Sequence, residues 1–257
     1  MNVILRKVLL GLIVIIVIVL AWIYSTAGGK IPIGILPPIS LVFSGLKEML
    51  QTGELQADIL VSLSRVLKGY LIAAVIGIIL GSLMGMYRPV REMLTPLLTI
   101  IRQIPIIAWI PLIILWAGID ELSKVIVIVL AAFFPIMVNT EAGIEKTPDG
   151  ILEVAKLYKL SQWEIFTKVY LPHALSHILV GLKLGLSVSW MAVVAAEMIA
   201  ATNGIGYKLN YSRSMMHANK VMVCMIVIGI IGVVMDKLIG WLFGIFTPWE
   251  RVSARSK

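Results

Sequence analysis

The chain has 257 residues, 60% of them hydrophobic and only 14% charged, with a mean hydropathy of +0.99. Soluble domains run near half apolar and a quarter charged, so this balance excludes a soluble protein and leaves a polytopic membrane protein. The net charge of +8 comes without a basic cluster interleaved with aromatics, which suits the headgroups of a lipid bilayer and excludes nucleic acid as a partner.

Apolar stretches long enough to span a bilayer, about 20 residues each, fall at 5–24, 66–87, 94–118, 123–143, 178–200 and 220–240. They predict an all-α, polytopic transmembrane helical bundle of about six spanning helices. Arg6-Lys7, the apolar run from Val8 to Ile23 and Ser25-Thr26-Ala27 have the outline of a secretory signal peptide. The run exceeds the usual apolar core of ~7–15 residues, so it reads as a retained first span. Residues 1–64 then comprise that helix and a long outer connection, which Pro32, Pro37-Pro38 and Gly53 break into short interfacial pieces. Residues 65–246 form the transmembrane core, and 247–257 a polar tail.

The second stretch carries Gly69, Ala73, Gly77, Gly81 and Gly85 at four-residue intervals, a shallow ridge that another helix can approach closely. The third carries Pro96, Pro105 and Pro111, each lacking a backbone donor, and predicts a helix broken near Pro105. The sixth repeats small residues at Gly232, Gly240 and Gly244, interrupted by Asp236-Lys237 near the cytosolic interface. Cys224, the single cysteine, excludes an internal disulfide and reads as a small core hydrophobe.

Arg6-Lys7, Arg88, Arg91, Lys146, Lys156, Lys159, Lys168, Arg251, Arg255 and Lys257 fall on one side of a six-span path. Lys30, Lys47, Arg65, Lys68, Lys124, Lys208, Arg213 and Lys220 fall on the other. The modest excess places both termini, and the charged segment 144–176, in the cytosol. Within that segment Thr147-Pro148 has the form of an N-cap and first helical residue. A helix from about Pro148 to Tyr158 would show Ile151, Leu152, Ala155 and Tyr158 on one apolar face. After a turn at Lys159-Leu160, Ser161-Gln162-Trp163-Glu164 matches the capping box. The second helix would carry Ile165, Phe166, Val169 and Tyr170 to a stop at Leu171-Pro172.

Glu153-Val154-Ala155 followed by Val169-Tyr170-Leu171-Pro172 resembles the coupling loop of bacterial ABC-transporter permeases, Glu-Ala-Ala then Gly then Ile-x-Leu-Pro. Further stretches resemble the permeases of nitrate, taurine and alkanesulfonate importers, the binding-protein-dependent inner membrane components. They are Pro37-Pro38-Ile39-Ser40, Ser62 through Tyr70, Ile104-Pro105 through Leu112, Phe133-Phe134-Pro135 with Asn139-Thr140, Trp190 with Ala195-Ala196-Glu197, and Gly204-Ile205-Gly206. Val154 and Val169 depart mildly from the family pattern, and Lys159 stands where the family has glycine.

The resemblance implies a type I ABC importer permease-like core whose coupling loop, 144–176, holds Glu153, Val154, Ala155, Lys159, Leu171 and Pro172. It also implies a second, identical permease, two ABC ATPase subunits using ATP and Mg, and an extracytoplasmic solute-binding protein. The setting would be the bacterial cytoplasmic (inner) membrane, and the solute a small anion, sulfonate or related compound. This chain itself would be no enzyme and bind no cofactor.

Ionisable residues at membrane depth are candidates for function. Lys183, Trp190 and Glu197 follow one another by seven residues on one stripe of the fifth stretch, and Arg102 sits in the broken third. These four are the translocation-path candidates, with Trp190 narrowing the path. The alternative is that Lys183 and Arg102 snorkel to the interface and Glu197 caps a neighbouring helix. No GxxxxGK[ST], HExxH or CxxC motif occurs, and His173 with His177 make only half a metal site. A secondary carrier would show inverted repeats and midplane charges. A membrane-embedded enzyme would show a nucleophile–base or metal constellation. Neither pattern is evident.

Overall fold

The computed structural model describes residues 3–29 and 31–246, so the tail at 247–257 lies outside the described residues. The described chain is built of helices: α1 (Val3–Thr26), α2 (Ile39–Gln51), α3 (Glu54–Met86), α4 (Arg88–Gln103), α5 (Ile106–Ala117), α6 (Glu121–Glu145), α7 (Asp149–Leu157), α8 (Gln162–Ile165), α9 (Leu171–Ala200), α10 (Ile205–Ser214) and α11 (Ala218–Phe246). Five of them are long and apolar enough to cross a membrane, and the α4–α5 pair makes a broken sixth.

The centre of the bundle is α6, flanked along its length by α3 and α9. A Cβ at Gly69 would come within 2.6 Å of Ile128, at Gly77 within 3.0 Å of Ile136, and at Gly85 within 2.8 Å of Ile144. The small-residue ridge is the α3–α6 seam. On the other flank Gly185 brings α9 against Ile136, where a Cβ would stand 2.8 Å away.

The break at Pro105 is where the prolines place it: α4 and α5 meet at 97°. The second span, however, begins at Glu54, twelve residues before the expected 66, so the boundary drawn at 64/65 falls inside α3. Glu54, Asp58 and Arg65 disqualify this first third as a spanning segment by hydropathy. The fold keeps it helical by pairing those groups with partners on other helices. The expected stop at Leu171-Pro172 is also overturned. A π-helical turn, Phe166–Tyr170, runs straight into α9, and the Leu171 N–H reaches the Phe166 carbonyl. Pro172 brings no backbone donor, and the widened turn just before it lets the helix continue past that missing bond.

Contacts fix which ends lie together. Arg65 near the start of α3 pairs with Glu121 at the start of α6, and Glu48 of α2 with Lys220 at the start of α11. At the opposite end Arg91 of α4 pairs with Glu145, His173 meets the Lys146 carbonyl at 3.1 Å, and Lys183 pairs with Asp236 at 3.1 Å. The α4–α5 pair therefore starts at the end that carries α7 and returns to α6 at the other, which makes it one crossing. The end of α11 lies on the α7 side, and the Trp22 indole at the far end of α1 donates to the Pro37 carbonyl at 3.0 Å beside α2.

Candidate functional site

The segment between α6 and α9 forms a compact knob outside the bundle. Pro148 is the N-cap of α7, and the buried Thr147 hydroxyl expected there has no partner among the described residues. The Lys159 N–H reaches the Lys156 carbonyl at 2.9 Å and the Leu160 N–H the Ala155 carbonyl at 3.2 Å, a Schellman closure. Lys159 takes its left-handed position, at φ 54°. Ser161 and Glu164 close the capping box on α8, with the Ser161 N–H 2.9 Å from the Glu164 carboxylate.

The apolar face of α7 is rotated from the expected one. Ala155 is only 4% exposed and turns into the subunit, because the smallest apolar residue lets α7 lie close to its neighbour. The outward face carries Ile151, Val154, Leu157 and Tyr158, the last two 82% and 78% exposed. Trp163, 71% exposed, extends it beside Phe166 at a ring separation of 5.7 Å, and Glu153 is exposed at its margin. Leu171 is half-buried and Pro172 exposed at the base of the knob.

At the opposite end lies a buried polar knot. Arg65 and Glu197 are each 1% exposed and pair at 2.7 Å. The Arg65 guanidinium also donates to Glu121 at 2.8 Å and to the Asn203 carbonyl at 2.9 Å. Glu197 accepts from the Gly206 N–H at 2.9 Å and from the Ser62 hydroxyl at 2.8 Å. Ser62 in turn accepts the Ile205 N–H at 3.0 Å, and Asp58 accepts the Gly204 N–H at 2.7 Å. These bonds satisfy the donors at the start of α10 and tie it to α3, α6 and α9. Gly204 sits at φ 106° against the Glu197 carboxylate, where only glycine fits. Lys208 of α10 lies between Glu54 and Asp58; burial pulls its pKa down, and the Glu54 hydrogen bond and both carboxylate charges hold it above the ordinary lysine value.

The stripe of Lys183, Trp190 and Glu197 faces protein at every step. Lys183 pairs with Asp236 of α11, and the buried Trp190 indole donates to the Ile228 carbonyl at 3.0 Å. Glu197 holds α10 and Arg65, so it does cap a neighbouring helix. Arg102 alone of the four is exposed, at the C-terminal end of α4 where it borders two cavities. In the sequence Ser62 and Arg65 stood only within the family stretch and the charge count, and Asp58, Glu121 and Asn203 were not singled out. The spacing of Asp58, Ser62 and Arg65 on one helical face was the available signal.

Residues 73–252 match the family described as binding-protein-dependent transport system inner membrane component. The chain belongs to this family. This permease is 37% identical over 223 residues to a Methanocaldococcus jannaschii protein assigned as an ABC transporter permease, covering 85% of this chain and 84% of that one. It is 33% identical to the protein of Bacillus subtilis assigned as the aliphatic sulfonates transport permease SsuC, over 93% of this chain and 87% of that one. The nitrate import permease NrtB of Synechocystis is 34% identical, with 76% of this chain and 70% of that one covered. Among solved structures, an amino acid ABC transporter matches with a TM-score of 0.61 at 16% identity, over 77% of this chain and 96% of that one. The MetNI methionine ABC transporter matches at 0.60 and 17%, over 74% and 96%. At those identities the likeness is one of fold, an ABC importer permease bundle. The permease is thus a multi-pass membrane component of the ABC importer kind.

Proposed function

We propose that the permease joins an identical copy to form one pathway, driven by two ATPase subunits docked on the α7–α8 knobs. An external binding protein delivers a small oxyanion, of the sulfonate or nitrate kind that the relatives' names carry. ATP and Mg belong to the ATPases; no phosphate-binding loop occurs in this sequence. The knob end is then cytosolic, as are both termini, in agreement with the excess of positive residues at that end. ATP-driven closure of the ATPases draws the two knobs together and opens the pathway outward.

The exposed face of the knob carries this reading. Ile151, Val154, Leu157, Tyr158 and Trp163 stand out together on a segment that lies beyond the spans. Each large apolar side chain gains about 1.5–3 kcal/mol on full burial, so the patch favours a partner surface over water. The test is Leu157→Asp with Tyr158→Asp, co-expressed with the cognate ATPase. The doubly substituted permease accumulates in the membrane but no longer co-purifies the ATPase. Full recovery of the complex refutes the docking surface.

A further inference from the structure

Helix α4 carries a polar stripe. Arg88, Arg91, Thr95, Thr99 and Arg102 follow one another at steps of three and four, one face of a helix. Three cavities lie along it in order. At the knob end a 790 Å³ mouth is bordered by Arg88, Arg91, Thr95 and Thr99, with Glu141 and Glu145 of α6 opposite. Next comes a 210 Å³ chamber bordered by Thr95, Thr99, Arg102 and Glu141. Beyond Arg102 a 440 Å³ chamber has an almost wholly apolar wall that includes Trp109, Phe134 and Met191. Thr95, Thr99 and Glu141 are common to the first two cavities, and Arg102 to the second and third.

The charges along the stripe are paired except at the middle chamber. Arg88 pairs with Glu92 at 2.7 Å, and Arg91 with Glu145. The side chains of Arg102 and Glu141 border this same chamber, and neither makes a hydrogen bond or ion-pair contact with any described residue. A cation and a carboxylate therefore face one small chamber with their contact valences open, and Thr95 and Thr99 border it as well.

We infer that this chamber is a binding site for a small zwitterion, its oxyanion head on Arg102 and its ammonium on Glu141. A simple anion would meet the Glu141 charge and a simple cation the Arg102 charge; a solute bearing both satisfies both groups. The planar guanidinium takes a sulfonate or carboxylate through two parallel N–H donors. A volume of 210 Å³ is below the ~300–1,000 Å³ of drug-sized pockets and fits a solute of a few heavy atoms. The inference rests on the reading of the chain as an importer of small oxyanions, and it adds a positive group to the solute.

The test uses the full-length permease in membrane vesicles. Cys224, the single native cysteine, is fully buried, so a membrane-impermeant thiol reagent reports on Thr99→Cys alone. Labelling is followed with taurine, with isethionate (a hydroxyl in place of the ammonium) and with nitrate. Taurine protects position 99 at a concentration about tenfold below that of isethionate, and nitrate protects least. Glu141→Gln in that background erases the taurine preference, and Arg102→Gln abolishes protection by both sulfonates. Equal protection by taurine and isethionate overturns the inference, as does a taurine preference that survives Glu141→Gln. Absence of labelling, or of protection by any solute, overturns it too. Should a glutamine variant fail to accumulate, the comparison of solutes on Thr99→Cys decides by itself. The readout needs no ATPase, so failure of the docking surface leaves this result standing, and the reverse.

Discussion

Arg65→Met removes the cation that forms an ion pair with Glu197 among the described residues. Both side chains are 1% exposed, so the orphaned carboxylate has no route to water, and only the Ser62 hydroxyl and the Gly206 N–H still bond to it. Breaking a buried pair from one side costs about 3–5 kcal/mol, chiefly through the uncompensated charge. Glu121, the second partner of Arg65, has a side chain 60% exposed and falls back on solvent. The damage therefore concentrates at Glu197, and a second substitution should repair it. Glu197→Gln keeps an oxygen to accept from Gly206 while discarding the charge, so Arg65→Met/Glu197→Gln is more stable than Arg65→Met by about 1–3 kcal/mol. Cys224 supplies the assay: as the sole thiol, and a buried one, it reacts with a thiol-activated dye only when the bundle opens on heating in detergent. At roughly 2–4 °C per kcal/mol for a chain of this size, Arg65→Met lowers the midpoint on the order of 10 °C and the second change returns part of it. A double variant less stable than Arg65→Met refutes the reasoning, because the knot would then act through geometry and not through balance of charge.

The remaining predictions use the same thermal assay or the transport complex. Gly81→Ala costs about 1–3 kcal/mol, since its Cβ would stand 2.5 Å from the Met137 carbonyl, whereas Gly229→Ala, with nothing within 4 Å, is neutral or stabilising; equal midpoints for the two refute the seam. Lys159→Gly raises stability by a few tenths to about 1 kcal/mol, because its φ of 54° is one that glycine adopts without a Cβ clash. A loss of coupled ATP hydrolysis in that variant would show instead that the lysine charge touches the ATPase. Trp190→Phe forfeits the bond to the Ile228 carbonyl, about 1 kcal/mol, and a cysteine at position 190 stays unlabelled in resting and nucleotide-trapped complexes.

Features that depend on near neighbours in the chain were legible from the residues themselves. The break at Pro105, the Gly69–Gly85 ridge and the Ser161–Glu164 capping box each need only a few adjacent positions, whereas the left-handed turn at Lys159 is signalled by the glycine that the family has there. The start of α3 was not legible. Hydropathy reads Glu54, Asp58 and Arg65 as too polar for a span, and their partners Glu121, Glu197 and Asn203 lie 56, 132 and 138 residues from Arg65. Ala155 went astray for a different reason. Ile151, Leu152, Val154, Ala155, Leu157 and Tyr158 offer two overlapping apolar faces, and periodicity does not say which one packs on the body. The α4 stripe was visible as spacing, but it becomes a chamber only when α6 sets Glu141 opposite Arg102.

The two ends of the bundle are held by bonds of different strength, and this decides which end yields. The knot joins α3, α6, α9 and α10 through a buried pair whose breakage costs about 3–5 kcal/mol. At the knob end the pairs Arg91–Glu145 and Lys183–Asp236 are partly exposed, a class worth about 0–1 kcal/mol each. Pulling on the knob acts first on α6 and α9, to which it is joined directly and through the His173–Lys146 contact. Helix α4 has no buried residue, is held to α6 by the Arg91–Glu145 pair, and is uncoupled from α5 by the Pro105 break. The displacement of least cost therefore slides α6 past α4 while the knot stays closed. Such a motion would change the distance between Arg102 and Glu141, the two groups proposed above to hold the solute.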